Sequence, residues 1–108
     1  MVLEFGDWQK VELKAAKVLS VEDVPGKDKL YKLKIDLGGE QRQLVAGIKP
    51  FYPVEKLLGR TIVVVANLQP RMIAGLESQG MLLAVKNAQG GFTTLTVDED
   101  VPPGTSVE

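Results

Sequence analysis

Residues Leu30–Leu37 alternate without a fault: Tyr31, Leu33, Ile35 and Leu37 fall on one face, and Lys32, Lys34 and Asp36 on the other. A helix, with 3.6 residues per turn, cannot keep that order; a half-buried strand can. Gly38-Gly39 follows at once, the chemistry of a tight turn, and returns the chain into a second strand over Gln41–Ile48. This hairpin commits the chain to a β-rich fold.

The segments around it agree. Val11, Leu13 and Ala15 alternate with Glu12 and Lys14, slip at Ala15-Ala16, and resume through Val18 until Pro25-Gly26. The slip predicts a bulge that bends one strand so that it serves two sheets. Pro50–Pro53 interrupts the pattern, and Pro53–Leu58 reads as a short helix, with proline in the first turn, Glu55 near the positive end and Gly59 after the last apolar pair. Arg60–Asn67 is apolar on both faces through Ile62–Ala66 and predicts a central strand. Ser78–Val85 predicts another, Asn87–Gly91 a turn and Phe92–Val97 a shorter strand. The tail around Pro102-Pro103-Gly104 is irregular and ends in a brief extended piece. An SH3-like barrel or a small sandwich uses similar parts. The helix between the third and fourth strands and the bent first strand point instead to an all-β, OB-fold Greek-key barrel with a C-terminal β extension, one domain over residues 1–108.

Composition removes several kinds of chemistry. There is no cysteine and no histidine, so disulfides, thiolate metal sites and Ser-His-Asp or Cys-His catalysis lack their groups. Asp98, Glu99 and Asp100 form an acidic turn of the solvated kind, and no acid pair converges with a nucleophile. The expectation is a non-enzyme with no metal and no cofactor. No apolar run approaches the ~20 residues that span a bilayer, and the first residues lack a signal peptide's basic start and apolar segment. The expected location is cytoplasmic, away from the membrane. The net charge of −1 hides a partition: Lys10–Lys86 holds all 13 basic residues but only eight of the 14 acidic ones. One face can therefore carry a positive field on an acidic molecule.

Two segments carry polar groups that a core does not need: Asn67-Leu68-Gln69-Pro70-Arg71, and Ser78-Gln79-Gly80-Met81 leading into Leu82-Leu83-Ala84. Polar groups on a loop between rigid strands commonly present a binding surface. Lys32 and Lys34 on the polar face of their strand, with Arg42 on the adjoining one and Lys27 and Lys29 in the loop before, could track a phosphate backbone. The competing reading is a solvated face whose lysines discourage edge-to-edge pairing. Met81 is either core filler or an exposed contact for a base, and Ser78 either a turn former or a donor. Tyr31 belongs to the apolar phase of its strand, Phe51-Tyr52 beside prolines either plugs the barrel end or offers a stacking ring, and Phe5 with Trp8 forms a cap or a partner contact.

Taken together, Asp28–Leu33, Gly47-Ile48, Glu55–Arg60, Val65–Arg71 and Gly75–Ala84 resemble the tRNA-binding domain family. That family includes the domain appended to methionyl-tRNA synthetases, free-standing dimeric tRNA-binding proteins and the cytokine-like domains of multisynthetase cofactors. The resemblance runs from about Phe5 to the end. It implies an OB barrel that binds tRNA by shape, without choosing one acceptor, as an appended domain or β subunit associated with the synthetase's catalytic region. A free-standing dimeric tRNA binder is the alternative, and an export-related chaperone of the same fold a further one. By match to the family motif, Lys29, Lys32 and Arg71 would meet phosphates, Asn67 and Ser78 would hydrogen-bond sugar or base edges, and Met81 would lie against an exposed nucleotide. Lys34 and Arg42 extend that set from the strand reading. A homodimer through the Phe5–Trp8 lead and the part after Val85 is also implied. Met72 and Ala74 stand where members often carry basic residues, which implies a weaker electrostatic contribution.

Overall fold

The computed structural model describes all residues 1–108. In chain order the elements are α1 (Phe5–Trp8), β1 (Leu13–Val24), β2 (Lys27–Asp36), β3 (Gln41–Ala46), a 3-10 turn (Lys49–Phe51), α2 (Val54–Leu57), β4 (Thr61–Val65), β5 (Arg71–Ile73), β6 (Leu76–Ser78), β7 (Met81–Leu82), β8 (Ala84–Lys86) and β9 (Phe92–Thr94). The main sheet runs β3-β2-β1-β4-β7, all neighbours antiparallel. The fold is the expected all-β barrel, with its short helix between β3 and β4.

β1 is the strand that serves two partners. Its first half pairs β4, from Leu13 opposite Val65 to Lys17 opposite Thr61, and its second half pairs β2, from Lys17 opposite Asp36 to Val24 opposite Lys27. The register shift that bends it lies between Val18 and Ser20, not at the Ala15-Ala16 slip. Ala15 and Ala16 are both buried, opposite the equally buried Val63 and Ile62. The slip therefore records a stretch covered on both faces, a pattern that mimics a bulge in sequence.

β2 fulfils its alternation: Tyr31, Leu33, Ile35 and the following Leu37 are buried, while Lys34 is exposed. Leu33, Ile35, Leu44, Ile62 and Val64 fill the barrel, each worth about 1.5–3 kcal/mol of burial. α2 closes one end by inserting the fully buried Leu57, and main-chain bonds from Val18 N–H to the Arg60 carbonyl and from Gly59 N–H to the Val18 carbonyl fix it to β1. Tyr52 plugs beside it. The Tyr31 hydroxyl donates to the Tyr52 carbonyl at 2.7 Å, and the Tyr52 hydroxyl accepts from the Thr94 N–H at 2.9 Å. Phe51 stays exposed and meets Phe92 edge-on, with ring centroids 5.8 Å apart.

The expected single strand over Ser78–Val85 is broken into the ends of three elements, β6, β7 and β8. Gly80 breaks it: its φ is +143°, and an added Cβ would stand 3.0 Å from the Val65 carbonyl oxygen and 3.3 Å from the Leu44 side chain. The chain thus switches partners, from β5 before Gly80 to β4 after it. The β5–β6 hairpin, turning at Ala74-Gly75, was not anticipated. Its three-residue strands are too short for periodicity to reveal.

The tail does end in an extended piece. Gly104 N–H reaches the Ala15 carbonyl at 2.7 Å, Ala15 N–H reaches Thr105 at 2.9 Å, and Val107 N–H reaches Leu13 at 2.8 Å. Gly104 also faces Gly38 across the β2–β3 turn so closely that a Cβ on either would stand 2.2 Å from the other segment's carbonyl oxygen.

Gly80→Ala is expected to cost about 1–3 kcal/mol through backbone strain and the crowded Val65 carbonyl. A melting curve checks this; an unchanged midpoint would show that the crossing of β7 over β4 tolerates a side chain.

Candidate nucleic-acid interface

β3 has β2 on one side only. On its other side the ladder is replaced by three consecutive residues. Val45 N–H donates to the Ser78 hydroxyl at 3.0 Å, Gln43 N–H donates to the Gln79 side-chain oxygen at 3.0 Å, and Gln79 N–H donates to the Gln43 carbonyl at 2.8 Å. The Gln43 carboxamide in turn donates to the Glu77 carbonyl at 2.9 Å. This satisfies an edge that would otherwise present open backbone groups.

The same contact brings residues from distant parts of the chain into line. Lys32 lies opposite Val45, Val45 is bonded to Ser78, and Ser78 lies opposite Arg71. With neighbouring strands about 4.8 Å apart, the row from Lys32 to Arg71 covers roughly 15 Å. Lys34 lies one pleat along the same face, opposite Gln43. Ion pairs take up Lys10, Lys32, Arg42 and Lys49; Lys29, Lys34 and Arg71 have no carboxylate partner. The Lys32–Glu22 pair, at 3.5 Å and partly exposed, is weak enough to yield to a phosphate.

Between β3 and the β5–β6 hairpin runs a groove of about 250 Å³. Its apolar walls include Leu44, Ile48, Leu68 and Ile73, and Arg71 and Met81 stand at its rim. Met81 is 48% exposed, so it is a surface residue and not core filler. Lys29 sits at the start of β2, its carbonyl beside Gly47 of the groove wall.

Three of the expected contact residues are placed differently. Arg42 lies opposite Ile35, on the sheet face away from Lys32 and Lys34. Its guanidinium donates to the Glu40 carboxylate at 3.1 and 3.2 Å, to the Ala66 carbonyl and, at 3.5 Å, to the Gln79 carbonyl. Period two separates residues 32 and 34 from their cross-strand neighbours at odd offsets, so Arg42 is a tie between strand ends and not part of the lysine stripe. Ser78 is 2% exposed; besides accepting from Val45 it donates to the Gly80 carbonyl at 3.2 Å. Asn67 is exposed, but its carboxamide donates to the Lys10 carbonyl at 2.6 Å and accepts from Glu12 N–H at 2.9 Å.

Two ionisable groups are shifted. Hydrogen bonding from Arg42, and its charge, hold the Glu40 carboxyl below the usual glutamate range. Burial opposes ionisation of Tyr52, yet the Thr93 and Thr94 hydrogen bonds and the nearby Arg60 outweigh it, and its pKa lies below the ordinary tyrosine value. No group of three or more Asp or Glu side chains is gathered in a way that could hold a metal ion.

The comparisons with known proteins fall on this same barrel. Residues 13–106 match the family model described as "Putative tRNA binding domain". A methionine–tRNA ligase of Thermotoga maritima is 54% identical over 101 residues, 94% of this chain but 16% of the ligase. The chain thus spans about one sixth of the length of the ligases it matches. Among solved structures, a MetRS-related protein from Pyrococcus horikoshii superposes with a TM-score of 0.93 at 34% identity, over 100% of this chain and 99% of that one. The chaperone CsaA of Bacillus anthracis superposes with a TM-score of 0.89 at 28% identity, over the full length of both.

Ser78→Ala is expected to leave the buried Val45 N–H without a partner and to lower stability by about 1–3 kcal/mol; denaturant unfolding measures it. The Glu40–Arg42 pair stabilises the fold above the ordinary glutamate range and loses that contribution as the pH falls through the depressed pKa. Acid titration of Glu40→Gln is expected to lack that part of the loss.

Proposed function

The chain belongs to the tRNA-binding domain family, and on that premise we propose that it binds folded tRNA without selecting one acceptor and raises the tRNA affinity of a methionyl-tRNA synthetase. The observation that carries this reading is the family match over residues 13–106, which takes in the Lys32–Arg71 row and the groove. Lysines and arginines on a rigid β surface suit a ribose-phosphate backbone, since each phosphate neutralised releases bound counterions. We assign phosphate contacts to Lys29, Lys32, Lys34 and Arg71 and a nucleotide contact to Met81. Ser78 supports them from beneath by holding the hairpin against β3. A weak contact of this kind, linked to a selective catalytic body, tightens the pair without adding specificity.

The free-standing alternative draws support from the Pyrococcus horikoshii MetRS-related protein, which this chain covers almost end to end. It goes with a homodimer. Phe5, 70% exposed, and Trp8 line an apolar hollow with Val11 and Val107. A second copy would cover this surface. The chaperone reading is favoured by one feature, the apolar groove, together with the likeness to CsaA. β3's occupied edge weighs against it, because an extended peptide adds most readily to open backbone groups.

Gel shifts with several unrelated tRNAs are expected to show similar affinities, and a DNA hairpin a weaker one. Lys32→Ala and Arg71→Ala are each expected to reduce the salt slope of tRNA binding by about one; unchanged slopes would remove them from the interface. Tight binding of an unfolded peptide with no salt-sensitive tRNA binding would establish the chaperone reading instead. Sedimentation equilibrium at micromolar concentration is expected to give twice the chain mass of 11.7 kDa.

A further inference from the structure

Both polar ends of the Asn67 carboxamide bond within the molecule, donating to the Lys10 carbonyl and accepting from the Glu12 N–H. Residues 67–71 are all exposed, and from Leu68 to Pro70 no hydrogen bond holds the loop. Leu68, Gln69 and Arg71 nevertheless form one wall of the groove. The shape of that wall therefore depends on how the loop is rooted. Its root is tied to the N-terminal lead three times: through the two Asn67 bonds and through Ala66 N–H to the Glu12 carbonyl at 2.8 Å. The lead has little else to fix it, since no residue of α1 is buried.

We propose that Asn67 is a positioning residue, whose carboxamide clasps the N-terminal lead to the groove loop, so that the lead shapes the tRNA site without touching tRNA. This rests on the reading of the groove as the tRNA site. It gives Asn67 a supporting role in place of the expected direct contact with a sugar or base: two bonds fix the carboxamide toward the lead, and its remaining N–H and lone pair are held in that orientation. It also joins two surfaces. Whatever covers Phe5, Trp8 and Val11 holds the lead, the lead holds Asn67, and Asn67 holds the wall that carries Arg71. By linkage, tRNA in the groove stabilises the lead in return.

The test is a double-mutant cycle on the full chain. Asn67→Ala removes the clasp from one side, and Glu12→Pro removes the N–H it accepts from, with Glu12→Gln as the charge-matched reference. Each is expected to weaken tRNA binding about three- to tenfold, the weight of one ordinary hydrogen bond, with the salt slope unchanged. The double variant is expected to bind no more weakly than the worse single one. Additive losses, or a loss in Asn67→Ala alone, would return Asn67 to the set of direct contacts, and full affinity in Asn67→Ala would overturn the proposal outright. A core truncation, Val18→Ala, is expected to melt earlier yet bind normally, which separates positioning from general destabilisation. Faster exchange of the Glu12 amide in Asn67→Ala reads the clasp without tRNA; unchanged exchange sinks it. A wild-type chain that binds no tRNA overturns the reading of the groove and the lead's role in it, while the amide exchange still decides whether the clasp exists.

Discussion

The barrel is closed by side chains where a continuous ladder would be expected. β3 would be an open edge; Ser78 and Gln79 satisfy it from across the gap, and β3's own Arg42 reaches back to the Ala66 carbonyl. The consequence is geometric. A full strand beside β3 would fill the space now occupied by the groove, whereas three local ties let the β5–β6 hairpin stand away from the barrel beyond Ser78. Closure and cleft are the same construction. Gly80 completes it, since only a residue without Cβ can pass beneath the Val65 carbonyl at that φ.

That construction also sorts the polar residues of the site into two kinds. Lys34 and Arg71 project from it with no partner, and Lys32 keeps only an exposed one. Ser78, Asn67 and Arg42 are bonded within it. Residues of the first kind can exchange water for a phosphate at little cost; those of the second kind have already been desolvated or committed, and their geometry is what they contribute. Membership in a recognisable motif does not distinguish the two, because a family can keep a residue for support as readily as for contact.

Much of the architecture was readable from the chain because it follows from period and punctuation. The β2 alternation, the Gly38-Gly39 turn, the helix after Pro53 and the two-sided apolar run at Ile62–Val65 all appear where the pattern puts them. The misreadings have physical reasons. Ala15-Ala16 imitates a bulge because burial on both faces erases alternation. β5, β6 and β7 are two or three residues long, below the length at which a period exists. For the candidate site, the row from Lys32 to Arg71 joins segments that the motif named. What it could not show was direction. Arg42's face depends on the cross-strand register, and the burial of Ser78 depends on a hydrogen bond between residues 33 positions apart.

The seam between Gly38 and Gly104 has a bearing on how the barrel is finished. Main-chain bonds at Leu13 and Ala15 are completed only by residues 104–107, which follow all the other strands of the barrel. Because β1 precedes residues 104–107 in chain order, this flank of β1 stays uncovered until that segment docks. Two facing glycines allow the late segment to drop into place against a turn that is already formed, with no side chain to be moved aside. Residues 104–107 thus act as a zip-lock for the barrel, and without them this flank of β1 would be a raw strand open to its neighbours.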